Sequence, residues 1–424
     1  MNISPFRKLV SFEEALDTVL KNAAPVKRTG EVALAQSSGR VLSEDVLSGL
    51  DVPPFDRSAM DGYAVRSADL KELPARLHLV GEIPAGSASR PRVRPGTCAL
   101  VLTGANIPPG ADAVVMQEHT AEGARAGTPA IGEHVTFTEP VSRGENIRRR
   151  GEEARRGDVL LKKGTALGPL QIGVAAGIGK ARVLVHARPR VRVLVTGQEV
   201  RRTGDPVAAH QLRDSNGPAL VAALELAGSP GATRRIVPDD LGQIAQTIRS
   251  AAREADVIVI TGGVSVGKYD LVPSALEKVG ARFGFHGVNM KPGRPQLYFT
   301  LRARGGRRTH IFGLPGNPMS VMTGFHEFVL PALRRLSGLP EASCRPNMRL
   351  PLAARIRSKG RRAWFAPARL VRTEWGMVAE VIGTHGSADI IAASAADGAA
   401  AIPAGVRELQ EGALVDFRPW RAIP

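Results

Sequence analysis

The sequence predicts an α/β protein of several domains, centred on a parallel sheet wrapped by helices. Three observations carry this. From Pro189 onward, short apolar runs alternate with stretches of helical length, the rhythm of strand–helix–strand units. Two of those runs, Val257-Ile258-Val259-Ile260 and His310–Leu314, break into glycine-rich turns, TGGVSVG and PGNP, each followed by a helix-like stretch. Backbone N–H groups in such turns can face a phosphate with no Cβ in the way. On either side of this region, β-rich runs separated by Pro and Gly indicate smaller domains of a different texture.

Taken in order, Ser11–Leu20 places Phe12, Ala15, Leu16, Val19 and Leu20 at helical spacing, with Ser11 as N-cap and Glu14 completing a capping box. Residues 46–146 read as a β-rich insertion with strands near Leu77–Val80, Ala99–Leu102 and Ala113–Met116. Residues 147–187 are mixed: a strand at Asp158–Leu161, an apolar helix at Pro169–Gly177 and a strand at Arg182–Val185. Together with residues 1–45 they form a discontinuous N-terminal domain. In the α/β domain, residues 188–337, the predicted strands are Val191–Val195, Thr233–Val237, Val257–Ile260, Gln296–Thr300 and His310–Leu314. The predicted helices are Pro218–Ala227, Leu241–Glu254, Leu271–Val279 and Pro318–Leu336. Residues 338–424 form a small β domain with runs at Met348–Ala353, Gly376–Val381, Ala399–Ile402 and Gly412–Phe417.

Composition narrows the function. A chain of 424 residues is too long for one core, and 46 Gly with 31 Pro suit a turn-rich enzyme rather than a helical bundle. The net charge of +17 fits nucleic acid, an anionic membrane or an anionic substrate. The basic residues are scattered and aromatics make up only 4%, which argues against a nucleic-acid interface of interleaved aromatics and cations. Cys98 and Cys344 lie far apart with no CxxC, so neither a disulfide framework nor a zinc site is expected. No HExxH or His-x-His spacing points to zinc, and His78, His186, His286 and His326 read as packing or surface residues. No signal-type apolar segment opens the sequence, and no uninterrupted apolar run reaches membrane-spanning length, so a cytoplasmic protein without membrane partners is expected.

Seven motifs then occur in order: PFDRSAMDGYAV (54–65), LTGANIPPGADAVVMQE (102–118), GENIRRRGEE (144–153), LRDSNGPAL (212–220), TGGVSVGKYD (261–270), NMKPGRP (289–295) and LPGNPMS (314–320). With them the chain resembles the molybdopterin molybdenumtransferase family, the bacterial MoeA proteins and the E domain of gephyrin; the C-terminal domain matches more loosely, through His385–Asp389 and Ala396-Asp397-Gly398. The resemblance implies an α/β domain of the molybdopterin-binding type. It also implies conversion of adenylylated molybdopterin and molybdate into molybdenum cofactor with release of AMP, and a divalent metal such as Mg²⁺. It implies a homodimer with shared active sites, each completed by the β insertion of the partner subunit. Molybdopterin adenylyltransferase and apo-molybdoenzymes are the protein partners it suggests.

Roles follow residue by residue. Asp61 is by spacing an Asx turn, and by resemblance a catalytic or metal-contacting carboxylate; Thr103 is a turn residue to which the resemblance gives a hydroxyl in the same site. Glu199 and Asp270 follow strands, where acids often cap helices, but two carboxylates beside a diphosphate make sense when a divalent metal bridges them. Asp214, Ser215 and Asn216 open a helix, which alone means only capping, and the resemblance adds ligand contact. Thr261, Gly262, Gly263, Ser265 and Gly267 form one phosphate-facing turn, and Pro315, Gly316 and Asn317 the other. Lys291, Arg294 and Pro295 belong to a rigid basic loop suited to an oxyanion such as molybdate, completed by Arg361 and Ser387 through the resemblance. Three positions depart from the family pattern: Arg294 stands where Lys is common, Gln198 where an acid often precedes Glu199, and Lys268 where relatives carry an acid. Two alternatives stand beside the transferase. An adenylyltransferase shares the TGG-bearing domain but usually lacks the three extra regions; a molybdopterin-binding scaffold without turnover would not require an intact set of site residues.

Overall fold

The structure, a computed structural model, describes residues 9–123, 129–265, 270–303, 306–345 and 348–421. The chain forms two compact units, one of residues 1–43, 164–168 and 182–424, the other of residues 44–163 and 169–181.

The first unit opens with α1 (Phe12–Asn22), whose Ser11/Glu14 capping box is fully formed: the Ser11 N–H donates to Glu14 Oε2 (2.8 Å) and the Glu14 N–H to Ser11 Oγ (3.1 Å). Its apolar stripe packs into the core that covers one face of the central sheet. That sheet runs through β1 (Val191–Thr196), α2 (Asn216–Leu226), β2 (Thr233–Val237), α3 (Leu241–Glu254), β3 (Val257–Thr261), α4 (Val272–Lys278), β4 (Arg282–His286), β5 (Leu297–Arg302) and β6 (Arg308–Leu314). The strand order is β2-β1-β3-β6-β5-β4. The first four are mutually parallel, while β5 and β4 are antiparallel additions, so the sheet is mixed where the sequence predicted only parallel pairing.

Side-chain alternation along β3 shows why the central strands are continuous apolar runs. Val257 and Val259 enter the core with α1 and α2, whereas Ile258 and Ile260 enter a second core with α3 and α4. Strand β4 is absent from the sequence reading because Gly284 interrupts it. A Cβ there would lie 2.6 Å from Tyr298 Cδ1, and the register slips between Phe283 and Phe285.

After β6 the predicted helix Pro318–Leu336 is three segments: α5 (Pro318–Gly324), a π-helical turn (Phe325–Val329) and α6 (Leu330–Leu336). Pro331 has no N–H to return to the preceding turn and its ring crowds that carbonyl, which accounts for the widening just before it. The unit ends in a β-sheet of β7 (Met348–Pro351), β8 (Ala363–Thr373), β9 (Gly376–Val381), β10 (Gly398–Ile402) and β11 (Leu414–Pro419). The sequence reading missed β8, its longest strand, because Pro367 and three basic or polar residues (Arg369, Arg372, Thr373) break the expected alternation. Met290 and Lys291 pair in parallel with Ala363 and Trp364, stitching the basic loop to this sheet.

The second unit is built on a five-stranded sheet in the order Ala113–Met116, Gly62–Val65, Thr97–Val101, Ala75–Ile83 and His134–Phe137. Gly62 permits the first two strands to close, since a Cβ would come within 2.1 Å of the Val115 carbonyl oxygen. The cations of GENIRRRGEE are engaged in this unit: Arg148 with Glu152 (2.9 Å), Arg149 with Asp56 (2.9 Å) and Arg150 with Asp51 (2.7 Å). Helix Pro169–Gly177 buries only Ala175 and leaves Leu170 81% exposed.

Burial holds two imidazoles of the first unit neutral. It pushes His310 from its usual 6.5 down to about 4 and His326 down to about 3. Below pH 6.5 the unfolded chain therefore binds protons that the fold refuses, so stability falls as pH drops through 6.5 towards those values. The loss approaches ~1.4 kcal/mol per pH unit for each ring. Urea midpoints between pH 7 and pH 5 should show this decline, and His326→Leu, which removes a ring whose nitrogens have no hydrogen-bond partner among the described residues, should make it shallower. An unchanged slope in that variant would remove His326 from the acid sensitivity.

Candidate active site

The carboxyl edge of the central sheet collects most of the predicted residues of the first unit. Strand β3 ends at Thr261 and β6 at Leu314, so the TGG and PGNP turns emerge side by side. They are bound to each other. The Thr261 hydroxyl donates to the Pro315 carbonyl (3.1 Å), the Gly262 N–H donates to Leu314 O (3.2 Å), and the Asn216 amide donates to both Thr261 Oγ1 (3.1 Å) and Gly316 O (2.7 Å). Gly262 and Gly263 have φ of 87° and 61°, and a Cβ on Gly262 would lie 2.2 Å from the Thr196 carbonyl oxygen. No other residue fits there. Ser265 is half-buried on the same turn; Gly267 and Lys268 lie outside the described residues.

Asp214 and Ser215 differ in what they offer. Asp214 is buried, its carboxylate taken by the Gly217 N–H (2.7 Å) and Arg234 (3.0 Å), so it organises the start of α2. Ser215 is exposed, and its hydroxyl makes no cap bond.

Glu199 is exposed on the turn after β1, and half-buried Asp270 stands before α4. A third acid, Asp239, follows β2 and was not singled out by the sequence. Its Oδ2 accepts the Gln198 N–H (2.8 Å), and its pKa is raised by burial first and then by the charges of Glu199 and Asp270. Three mutually repelling carboxylates at one edge suit a divalent cation. Among the described residues no three His, Cys, Asp or Glu side chains form a ready-made metal cage, so such an ion would draw further oxygens from phosphate and water. Gly197–Arg202 and Ile236–Asp239 line a cleft of about 890 Å³ beside these acids.

A second cleft, of about 600 Å³, gathers Lys291, Arg294, Pro295, Pro315, Asn317 and Ser387. Its lining holds three cations and no acid among the described residues, the composition an oxyanion requires. Lys291 Nζ sits 4.8 Å from the centre of the Trp364 ring, and the Asn317 amide donates to Ser387 Oγ (2.8 Å). Arg361 is not among the lining residues. Its neighbour Arg362 is, on the side shared with Trp364, because the chain entering β8 alternates sides residue by residue.

In the second unit Asp61 and Thr103 meet. The Thr103 N–H (2.6 Å) and its hydroxyl (2.7 Å) both donate to Asp61 Oδ1, and these bonds, the backbone one first, lower the Asp61 pKa. Oδ2 has no partner among the described residues and remains available to a ligand. Thr103→Val removes the hydroxyl donor and keeps the backbone one, so carboxyl NMR titration should place Asp61 higher than in the parent protein. An unmoved titration would mean the hydroxyl contributes nothing to the carboxylate.

Three family profiles match the chain in order: "MoeA N-terminal region (domain I and II)" over residues 10–179, "Probable molybdopterin binding domain" over 192–335 and "MoeA C-terminal region (domain IV)" over 349–420. The chain is 33% identical over 416 residues to the molybdopterin molybdenumtransferase of Staphylococcus aureus strain Mu50, covering 97% of this chain and 96% of that one. It is 31% identical over 417 residues to the protein of the same name from Staphylococcus epidermidis, covering 97% and 95%. The solved molybdopterin biosynthesis MoeA protein from Pyrococcus horikoshii OT3 superimposes with a TM-score of 0.80 at 30% identity, covering 97% of this chain and 99% of that one.

Proposed function

Because the chain belongs to the MoeA family of molybdopterin molybdenumtransferases, we propose that it inserts molybdate into adenylylated molybdopterin, forming molybdenum cofactor and releasing AMP. The observation that carries this reading is the division of labour along one sheet edge: paired glycine-rich turns for phosphates, clustered acids beside them, and an acid-free cationic cleft for an oxyanion.

In this reading the TGG and PGNP turns bind the phosphates through backbone donors, and Lys291, Arg294 and Arg362 hold molybdate with the Asn317 amide and the Ser387 hydroxyl. Arg294 keeps the charge of the Lys common at its position and adds planar two-point donation. Glu199, Asp270 and Asp239 would hold Mg²⁺, which when bound neutralises the diphosphate and polarises the bond to AMP. Asp61, its Oδ1 fixed by Thr103, presents Oδ2 to the reacting group. No nucleophilic side chain is required, since positioning and electrostatics suffice for the exchange.

The same proposal includes a homodimer in which each subunit's Asp61–Thr103 pair serves the partner's sheet edge. The exposed apolar helix carrying Leu170 (81% exposed) and Val174 (40%) supports a protein-covered face. The division at residues 1–45 with 147–187, 46–146, 188–337 and 338–424 belongs to this reading. So does a cytoplasmic location, which suits two free, buried cysteines; molybdopterin adenylyltransferase and apo-molybdoenzymes are the proposed protein contacts.

Single-turnover synthesis tests it. With adenylylated molybdopterin, Mg²⁺ and molybdate, the protein should release AMP and activate an apo-molybdoenzyme, both in a molybdate-dependent manner. Asp61→Ala should abolish turnover with the fold intact, and Asp239→Asn should raise the Mg²⁺ concentration for half-maximal rate about tenfold, a loss of about 1.4 kcal/mol in ion binding. Tight binding of both substrates without any AMP release would reject the transferase in favour of a carrier, and normal activity in Asp61→Ala would remove that carboxylate from the mechanism.

A further inference from the structure

At the opposite, amino-terminal edge of the central sheet, where β1, β3 and β6 begin, lies a cleft of about 590 Å³. Its lining brings five basic side chains, Lys27, Arg28, Arg190, Arg307 and Arg308, around one carboxylate, Asp256. None of these residues belongs to the site described above. The strands between the two edges are five or more residues long, so the edges stand about 15 Å apart.

Three of the arginines have structural work. Arg28 forks onto Asp256 (3.1 and 2.7 Å). Arg307 donates to Glu254 O (3.2 Å) and Ala252 O (2.6 Å), capping the end of α3, and Arg308 donates to Asn22 O (3.0 Å), capping the end of α1. Carbonyl partners satisfy hydrogen bonds but leave formal charge uncancelled. The crowding is felt at Arg307, whose basicity is lowered by burial and then by Arg190 and Arg28, and its Nε–H is buried without a partner among the described residues.

The remaining two cations have no such work. The Arg190 guanidinium is 48% exposed and approaches Asp256 only at 3.9 Å, and the Lys27 ammonium has no hydrogen-bond or ion-pair partner among the described residues. Helix capping and the Asp256 pair explain three arginines and leave these two unexplained. Beside them, Pro25, Val26 and Leu336 supply an apolar wall. A cleft with excess positive charge on one side and hydrocarbon on the other matches a phosphate attached to an organic group.

We propose that this cleft is a second anion site, which takes a phosphate-bearing small molecule with its phosphate between Lys27 and Arg190 and its remainder along Pro25 and Leu336. It is independent of the chemistry at the carboxyl edge.

Calorimetric titration of the full chain with inorganic pyrophosphate and, separately, with AMP tests it. The parent protein should bind each probe at two sites per chain, the glycine turns and this cleft, and Lys27→Ala/Arg190→Ala should weaken only the second by about tenfold or more. Arg190→Lys should recover part of the affinity. Both substituted side chains are surface groups, and an unchanged melting temperature in the double variant excludes a folding defect. Equal affinity for the two probes assigns the site to phosphate alone; tighter binding of AMP assigns it to a nucleotide using the apolar wall. A double variant that binds both probes with the parent's stoichiometry and affinities overturns the proposal.

Discussion

A small set of polar contacts at the carboxyl edge of the central sheet holds the rest of the site in place. The Asn216 side chain reaches both the Thr261 hydroxyl and the Gly316 carbonyl, and Thr261 in turn donates to Pro315. Turns that must expose backbone N–H groups to a ligand would otherwise leave carbonyls at their bases unpaired, and this cluster satisfies them while fixing the spacing of the two loops. Close approach of Gly262 to Thr196 then ties β1 to the same arrangement. The acids after β1 and β2 and the basic loop before β5 take their positions from this frame.

Charge is sorted along that edge with little mixing. Burial first, and then the charges of Glu199 and Asp270, raise Asp239, while the cleft of Lys291, Arg294 and Arg362 contains no acid among the described residues. Elsewhere some of the basic residues are engaged in local pairs, as with Arg148, Arg149 and Arg150.

Much of this was legible in the sequence, wherever a local rule decides the outcome. The capping box of α1, strand Thr233–Val237 and helix Leu241–Glu254 follow directly from periodicity and caps. Strands β4 and β8 escaped because Gly284 and Pro367 break their patterns while neighbouring strands supply the pairing. Motifs located the glycine turns and Asn216, but the bridge that Asn216 makes between the turns, and Asp239 as a site residue, emerge only when the topology brings distant loops together. Asp239 was also masked by its neighbour Asp240, a helix N-cap whose Oδ1 accepts the Gln243 N–H (2.8 Å), so that the pair resembled ordinary capping. Arg362 differs from the expected Arg361 by a single step of strand alternation, a distinction that only register reveals.

The two-residue pairing of Met290–Lys291 with Ala363–Trp364 carries a consequence for how this protein can change. It makes one wall of the cationic cleft a loan from a separate sheet and its flanking loops: Trp364 at the margin of that sheet's core, with Arg362 and Ser387 beside it. Substitutions there can reshape which oxyanion is admitted while the glycine turns and their supporting strands keep their sequence. Selectivity and phosphate binding are thereby free to evolve at different rates within one chain.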